Sequence, residues 1–343
     1  MIRTIESLRP DILIDPFQER SSAPARRRMQ ILGAQFEFES RNAGLLELVD
    51  SAYAELPQHR LGRRAPRLLV RLEASACAPA RHARIPPPLS TLSGAGFLCG
   101  ATARSGFVVV SPGEGSALVV VPQEMLEHRY HTRYELIEFA VFTLAQRVQG
   151  LVPLHAACVA HGGRGMLLMG GSGAGKSTLA LHCLLQGFEF LSEDSTFVAP
   201  TSMRATGIAN FLHVRANSLR FLTHAADAAM IRASPVIRRR SGIAKFEVDL
   251  RRTRRRLAAT PFKIDYLIFM STRSAGAGPL LTPLPQSLVR EYLTASQPYA
   301  ASLPEWRIFS GGASRLDAFE LRRGRHPQEA VAALRALGRT RRG

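Results

Sequence analysis

The sequence predicts an α/β chain in two parts: a smaller α+β unit over residues 1–150, then an α/β unit built on a phosphate-binding loop (a P-loop) over residues 151–343. Three observations carry this expectation. A glycine-rich loop stands between an apolar strand and an apolar helix in "MLLMGGSGAGKSTLALHC", residues 166–183. Residues 106–122, "GFVVVSPGEGSALVVVP", put two β-branched runs around a Pro/Gly turn, the pattern of a hairpin. The pattern changes near residue 150, where "YELIEFAVFTLAQRVQG" (134–150) has helical periodicity and a glycine stop.

Taken in order, residues 1–30 are polar and arginine-rich, with Pro10, Pro16 and Pro24, and an irregular lead-in is expected. "AQFEFES" (34–40) alternates like a strand, and "RNAGLLELVDSAYAEL" (41–56) places Leu45, Leu46, Leu48, Val49 and Tyr53 on one helical face. "RLLVRLEAS" (67–75) is a strand candidate. Three consecutive prolines in "RIPPPLSTLSGAG" (84–96) argue against regular structure. In the second half "LHAACVAHGGRGMLLMG" (154–170) reads as two strands around a His-Gly-Gly turn. Strands and short helices follow at 188–194, 195–200, 211–222, 245–250 and 263–271, with helices at 285–296 and 327–339.

Composition narrows the class. The 343 residues are 46% hydrophobic, enough for two cores, and no run of about 18 uncharged apolar residues marks a membrane span. The start, "MIRTIESLRPDILIDPF", lacks the basic and apolar regions of a secretory signal. Four cysteines, Cys77, Cys99, Cys158 and Cys183, form no CxxC pair and no zinc spacing, so they read as reduced thiols in a cytoplasmic protein. The net charge is +18, carried mostly by arginine. The basic runs at 25–29, 237–241, 251–256 and 341–343 are not interleaved with stacking aromatics. They fit a solvated face, or a face for an acidic partner, better than a nucleic-acid groove. The expected partner is a peptide or small protein, acidic in character; a homo-oligomer stays open.

Gly170 to Ser177 fit G-x-x-x-x-G-K-[ST] in the strand-to-helix setting that the chemistry needs. Glycines let the backbone N–H groups converge on phosphate oxygens, and the helix N-terminus favours an anion. The expected phosphate-binding set is Gly170, Gly171, Ser172, Gly173, Ala174, Gly175, Lys176, Ser177 and Thr178. Lys176 supplies a charge for the outer phosphates, and Ser177 a hydroxyl for Mg²⁺. The N-K-x-D of GTPases and the L-S-G-G-Q of transporter ATPases are missing. About seventeen residues after Lys176, "GFEFLSEDS" (187–195) ends a strand in Glu193-Asp194. In a parallel sheet that end lies beside the loop, where one carboxylate can hold Mg²⁺ and the other can take a proton from a hydroxyl. His155 heads the strand before the loop hairpin.

Leu154 to Ser195 together resemble the C-terminal domain of the bacterial HPr kinase/phosphorylase family and its HPr-kinase-related members. The likeness rests on a strand opening in a histidine, a hairpin, G-x-S-G-x-G-K-S, a helix ending in a glycine turn, and a strand closing on two acids. It covers some forty residues. It implies a P-loop domain of HPr kinase/phosphoenolpyruvate carboxykinase type, with ATP, Mg²⁺ and phosphoryl transfer to a serine. Some relatives accompany peptide-modification clusters, lasso-peptide clusters among them, and phosphorylate a precursor peptide. Carried over, His155 lies near the catalytic acids, Lys176 and Ser177 hold ATP and metal, and Glu193 and Asp194 serve as base and metal ligand (Asp194 with Ser177 being the expected metal pair). The chain departs from the family in two ways. Glu193 stands where Asp is usual, which leaves open which carboxylate is the base. The later E-x-R-G-x-G segment is missing; "RRRSGIAKFEVDL" (238–250) is the nearest region, with Lys245 as a phosphate contact. The leading expectation is an ATP-dependent kinase acting on a hydroxyl, with the arginine-rich stretch 238–256 recruiting the acceptor. The alternatives are a non-catalytic nucleotide-binding module and a P-loop kinase of a small metabolite.

Overall fold

The structure is a computed structural model and describes residues 23–75, 88–102, 106–253 and 255–339. Among the described residues the chain is mixed α/β, with strands in three sheets. The first half contributes β1 (Ala25–Ile31), β2 (Ala34–Ser40), α1 (Ala43–Tyr53), β3 (Arg67–Ser75), β4 (Leu89–Gly94), β5 (Phe97–Thr102), β6 (Phe107–Ser111), β7 (Ser116–Pro122) and α2 (Glu138–Gln149). Its seven strands lie in the order β1-β2-β3-β7-β6-β5-β4. β2, β3 and β7 run parallel, and the flanking pairs are antiparallel.

Alternation decides which face is covered. Phe36, Phe38, Leu68, Val70, Leu72, Val108, Val110, Val119 and Val121 are buried with the apolar sides of α1 and α2 in one core. Asn42 starts α1 by accepting from the Leu45 N–H at 3.2 Å, and Gly150 ends α2 in a left-handed conformation, φ 59°.

Two expectations fail here. Residues 25–31 are not lead-in: "ARRRMQI" is strand β1, because Arg26 and Arg28 find Glu37 and Glu39 across the ladder on β2. The proline stretch does not extend to residue 96, since β4 begins at Leu89, just after Pro88, and pairs with β5. The lead-in expected over residues 1–22, the prolines at 86–87, Cys77 and the basic run 341–343 lie outside the described residues.

The second half contributes β8 (Val152–His161), β9 (Arg164–Met169), α3 (Lys176–Leu185), β10 (Glu189–Ser192), β11 (Ser195–Ala199), β12 (Arg204–Gly207), β13 (Phe211–Val214), α4 (Ala225–Arg232), β14 (Val236–Arg238), β15 (Ala244–Asp249), β16 (Phe262–Ser274), β17 (Leu281–Pro283), α5 (Gln286–Ser296), α6 (Trp306–Ala313), β18 (Asp317–Arg323) and α7 (Pro327–Arg339). β9 lies between β8 and β16, antiparallel to the first and parallel to the second, and β16 continues parallel to β18. β10 and β11 both run antiparallel along β8. β13, β15 and β14 form a separate small sheet. Cys158 and Cys183 are buried as free thiols, and Cys99 is half-buried.

The two halves are bound by polar clasps. His59 bonds Thr206 Oγ1 and the Ala258 carbonyl, both at 2.8 Å. Asn210 Nδ2 donates to the Ala52 carbonyl at 2.9 Å, and Arg251 donates to the carbonyls of Ser51 and Ala54 at 2.8 and 2.9 Å. No described helix is long and apolar enough to cross a membrane.

Candidate functional site

The register of β8 assembles the site. Ala156 faces Met169, the last residue before Gly170, while His155 faces Ser195, the residue after Asp194. His155 therefore stands between the start of the loop and the acidic pair. β8 stands between the loop strand β9 and the strand β10 that leads to the acids. Both β9 and β10 are antiparallel to β8, so they point the same way and their ends reach the same edge.

The loop has the geometry of a phosphate cradle. Gly173 and Gly175 adopt φ of 83° and 100°, backbone that L side chains rarely take. A Cβ at Gly170 would meet the Met270 carbonyl oxygen at 3.0 Å, so β16 holds the loop base close. Lys176 opens α3 and curls back, donating to the Gly170 carbonyl at 2.8 Å and meeting His155 Nε2 at 3.0 Å. His155 Nδ1 lies 3.0 Å from Asp194 Oδ1. An ammonium has no acceptor, so His155 Nε2 must receive from Lys176 while Nδ1–H donates to Asp194. That makes His155 a neutral linker, and burial, aided by the Lys176 charge and opposed by Asp194, lowers its pKa. Burial also lowers the Lys176 pKa, against the pull of Asp194 and Glu193.

A cavity of about 230 Å³ opens over this chain of contacts. The loop from Gly171 to Thr178, except Ala174, forms one wall with His155 and Asp194. Arg215, Asn217 and Ser218 form a second, and Arg239, Ser241 and Lys245 a third. Ser218 Oγ bonds Thr178 Oγ1 at 3.0 Å, which ties the second wall to α3. Lys176, Arg215, Arg239 and Lys245 line the cavity with a single carboxylate, Asp194. The Nε and Nη2 of Arg239 are shielded and have no hydrogen-bond partner among the described residues. A second hollow of about 680 Å³ lies beyond Gly173–Gly175, lined by Phe221, Met270, Arg220, Arg322 and His326 among others.

The two acids part company. Asp194 lines the cavity with its side chain 24% exposed, whereas Glu193 is 6% exposed and lies behind it. Glu193 Oε2 accepts from the His213 backbone N–H at 2.9 Å and from His213 Nδ1 at 3.0 Å. Burial alone would raise the Glu193 carboxyl, but the bonds from His213 and Ser177 and the charges of His213 and Lys245 hold it down at about 2.

Among the expected residues, His155, Lys176, Ser177 and Asp194 come together, while Gly170 and Ala174 support the loop from below and beside. The stretch 238–256 divides. Arg239 and Lys245 face the cavity, but Arg251, Arg255 and Arg256 are taken by Asp249, Asp227 and Glu189. Sequence reasoning missed His213, Glu247, Arg133 and Arg215, which stand in segments without motif spacing.

The set fits a nucleotide with magnesium. No group of three His, Cys, Asp or Glu among the described residues could hold a metal alone. Magnesium on a nucleotide needs less, because phosphates and water complete its shell. No protein-family model matches the chain, and no curated protein matches it.

Proposed function

We propose that this chain is an ATP-dependent phosphotransferase that acts on the hydroxyl of a peptide or small protein, as the likeness to the HPr-kinase-related proteins implies. One observation carries the reading: the loop lysine, His155 and Asp194 form a continuous hydrogen-bonded chain at the floor of a cationic cavity.

In this reading the triphosphate lies along Gly171–Thr178, with Lys176 turned from Gly170 to the phosphates. The nucleoside occupies the hollow beside Phe221 and Met270. Ser177 would hold Mg²⁺, which neutralises charge on the phosphates when bound. Asp194 is the carboxylate of the pair that reaches the cavity, so it takes the proton of the acceptor hydroxyl. The acceptor oxygen bonds to the γ-phosphorus, the bond from that phosphorus to the β,γ-bridging oxygen breaks, and ADP leaves with that oxygen. His155 holds Asp194 in place by its Nδ1–H bond. Arg239 and Lys245, on the wall facing the loop, hold the acceptor, and their charge favours an acidic one.

The test offers γ-labelled ATP with peptides encoded beside the gene. Label on a serine is the expected result. Label that appears only as free phosphate with every acceptor would point instead to a nucleotide-hydrolysing or nucleotide-sensing module.

A further inference from the structure

The turn that joins the two sheets also enters the back of the site. After a short helical stretch at Arg129–His131, residues Thr132–Ile137 widen into a π-type turn before α2 begins. Such turns insert one extra residue and re-aim the side chains around it, and they recur at functional sites. Here the re-aimed side chains meet His213. The rings of Tyr130 and Tyr134 stack on each other at 5.3 Å and both stand edge-on to the His213 ring, at 6.1 and 6.0 Å.

Arg133 makes the decisive contact. Its Nη2 donates to Glu247 Oε1 on β15, and its guanidinium lies over the Phe211 ring, 4.4 Å from the centroid. The same Glu247 oxygen is 3.2 Å from His213 Nε2. His213 then reaches Glu193 through Nδ1 and its backbone N–H, and the nearby Ser177 hydroxyl of the loop helps to hold the Glu193 carboxyl down. The Arg133, Glu247, His213 and Glu193 side chains are each at most 10% exposed. Each ring nitrogen of His213 faces a carboxylate, so both must carry hydrogen and the ring is an imidazolium. The buried row then holds two cations and two anions in alternation.

We propose that Arg133 is a positioning residue for the phosphate site: through Glu247 and His213 it fixes the Glu193 carboxylate that orients the Ser177 hydroxyl. The inference rests on the phosphotransferase reading for its consequence, though not for its geometry. Without Arg133, Glu247 is a buried anion whose sole remaining cation in this row is His213. The imidazolium is then drawn toward Glu247, its bond to Glu193 loosens, and Ser177 loses a fixed partner. A small cavity of about 40 Å³, lined by Arg133, Tyr134, Glu138, Glu193 and Asp194, lies along the same row, so the slack has somewhere to go. The segment that links the halves is thereby part of the site.

The molecule contains its own control. Arg251 also ties the halves together, through Asp249 and the carbonyls of Ser51 and Ala54, its side chain is 8% exposed, and it too lies over the Phe211 ring, but among the described residues it has no bond to the loop, to Glu193 or to Asp194. Arg133→Met and Arg251→Met should destabilise the full chain alike. Arg133→Met alone should reduce turnover at saturating ATP by about 10–100-fold, the effect of a misplaced site group. It should also abolish the gain in ATP affinity that Mg²⁺ confers, with metal-free ATP bound within about twofold of wild type because the loop backbone is untouched. Arg133→Lys keeps the charge and should restore part of both losses; it carries the same comparison if Arg133→Met does not fold. In the wild-type protein, nitrogen NMR of the His213 ring should show both nitrogens protonated at neutral pH.

Equal turnover and equal Mg²⁺ gain in the Arg133→Met and Arg251→Met proteins would reduce Arg133 to a structural clasp and overturn the proposal. So would a neutral His213. A wild-type protein that binds ATP but transfers no phosphoryl group would instead overturn the phosphotransferase reading, and the Mg²⁺ gain and the His213 signals would still decide the role of Arg133.

Discussion

His213 grips Glu193 twice: its backbone N–H and its ring Nδ1 both donate to the same carboxylate oxygen, at 2.9 and 3.0 Å. Glu193 is also 6% exposed behind Asp194, so a hydroxyl in the cavity meets Asp194 instead. Glu193→Gln removes the counter-charge of a buried imidazolium, and loss of one partner of such a pair costs about 3–5 kcal/mol. Chemical denaturation should register that loss. Asp194→Asn should denature like wild type and still bind ATP, yet turn over about 10²–10⁴-fold more slowly. Full activity in Asp194→Asn would remove it from the mechanism. Rescue of Asp194→Asn by excess Mg²⁺ would reassign Asp194 from base to metal ligand.

Lys176 is prearranged by Gly170 and His155, and it is 7% exposed. In a site of low dielectric its charge-assisted bonds to phosphate have no substitute from water. Lys176→Ala should weaken ATP binding by at least about 10²-fold in calorimetry. Equal affinity in the two proteins would exclude this loop as the triphosphate site.

Glu138 gives a pH prediction. Burial raises its carboxyl to about 7, although Arg133 and His213 oppose the shift. A folded pKa above the unfolded value means that the folded chain binds more protons between about 4.5 and 7. This residue's contribution therefore favours folding below that window and is lost as pH rises through it. Glu138→Gln mimics the protonated acid. It should be more stable than wild type at pH 8, by an amount on the order of 3 kcal/mol, and nearly equal at pH 4. Denaturant midpoints at the two pH values measure the difference. A variant less stable than wild type at pH 8 would show that the ionised carboxylate is needed by Arg133.

The cationic cavity predicts a salt dependence. Arg239, Lys245 and Arg215 line it, so an acidic acceptor should bind more weakly as screening shortens to about 8 Å at physiological ionic strength. The KM for the acceptor should rise with salt, and more steeply in wild type than in Arg239→Met. An acceptor KM indifferent to salt would keep the phosphotransferase and discard electrostatic recruitment.

Local rules found what local rules govern. The alternation of "AQFEFES" and "RLLVRLEAS" matched β2 and β3 residue for residue, and the loop, its strand and its helix were readable because the phosphate cradle is contiguous in sequence. The edge strand β1 was not readable, because its arginines look solvated until Glu37 and Glu39 lie opposite. The charge row was hidden for a different reason. Arg133 and Glu247 are 114 positions apart, and neither carries a motif; only tertiary packing makes a buried pair of them. Conversely, "RRTRRR" looked like a functional charge run, and its described arginines 251, 252, 255 and 256 pair with carboxylates of their own fold.

The position of β9 has a consequence for biosynthesis. Its neighbour β8 directly precedes it, but its other neighbour, β16, ends about 100 residues later. At about 5–20 residues per second, the nascent loop strand stays an open edge for roughly 5–20 s before β16 can cover it. That edge is "GMLLM", buried in the finished protein and strongly apolar. Codons that slow the ribosome between residues 169 and 262 should therefore lower the yield of soluble chain, whereas the same slowing after residue 274 should not. A growing chain has the whole phosphate motif long before it has the strand that holds Gly170 in place.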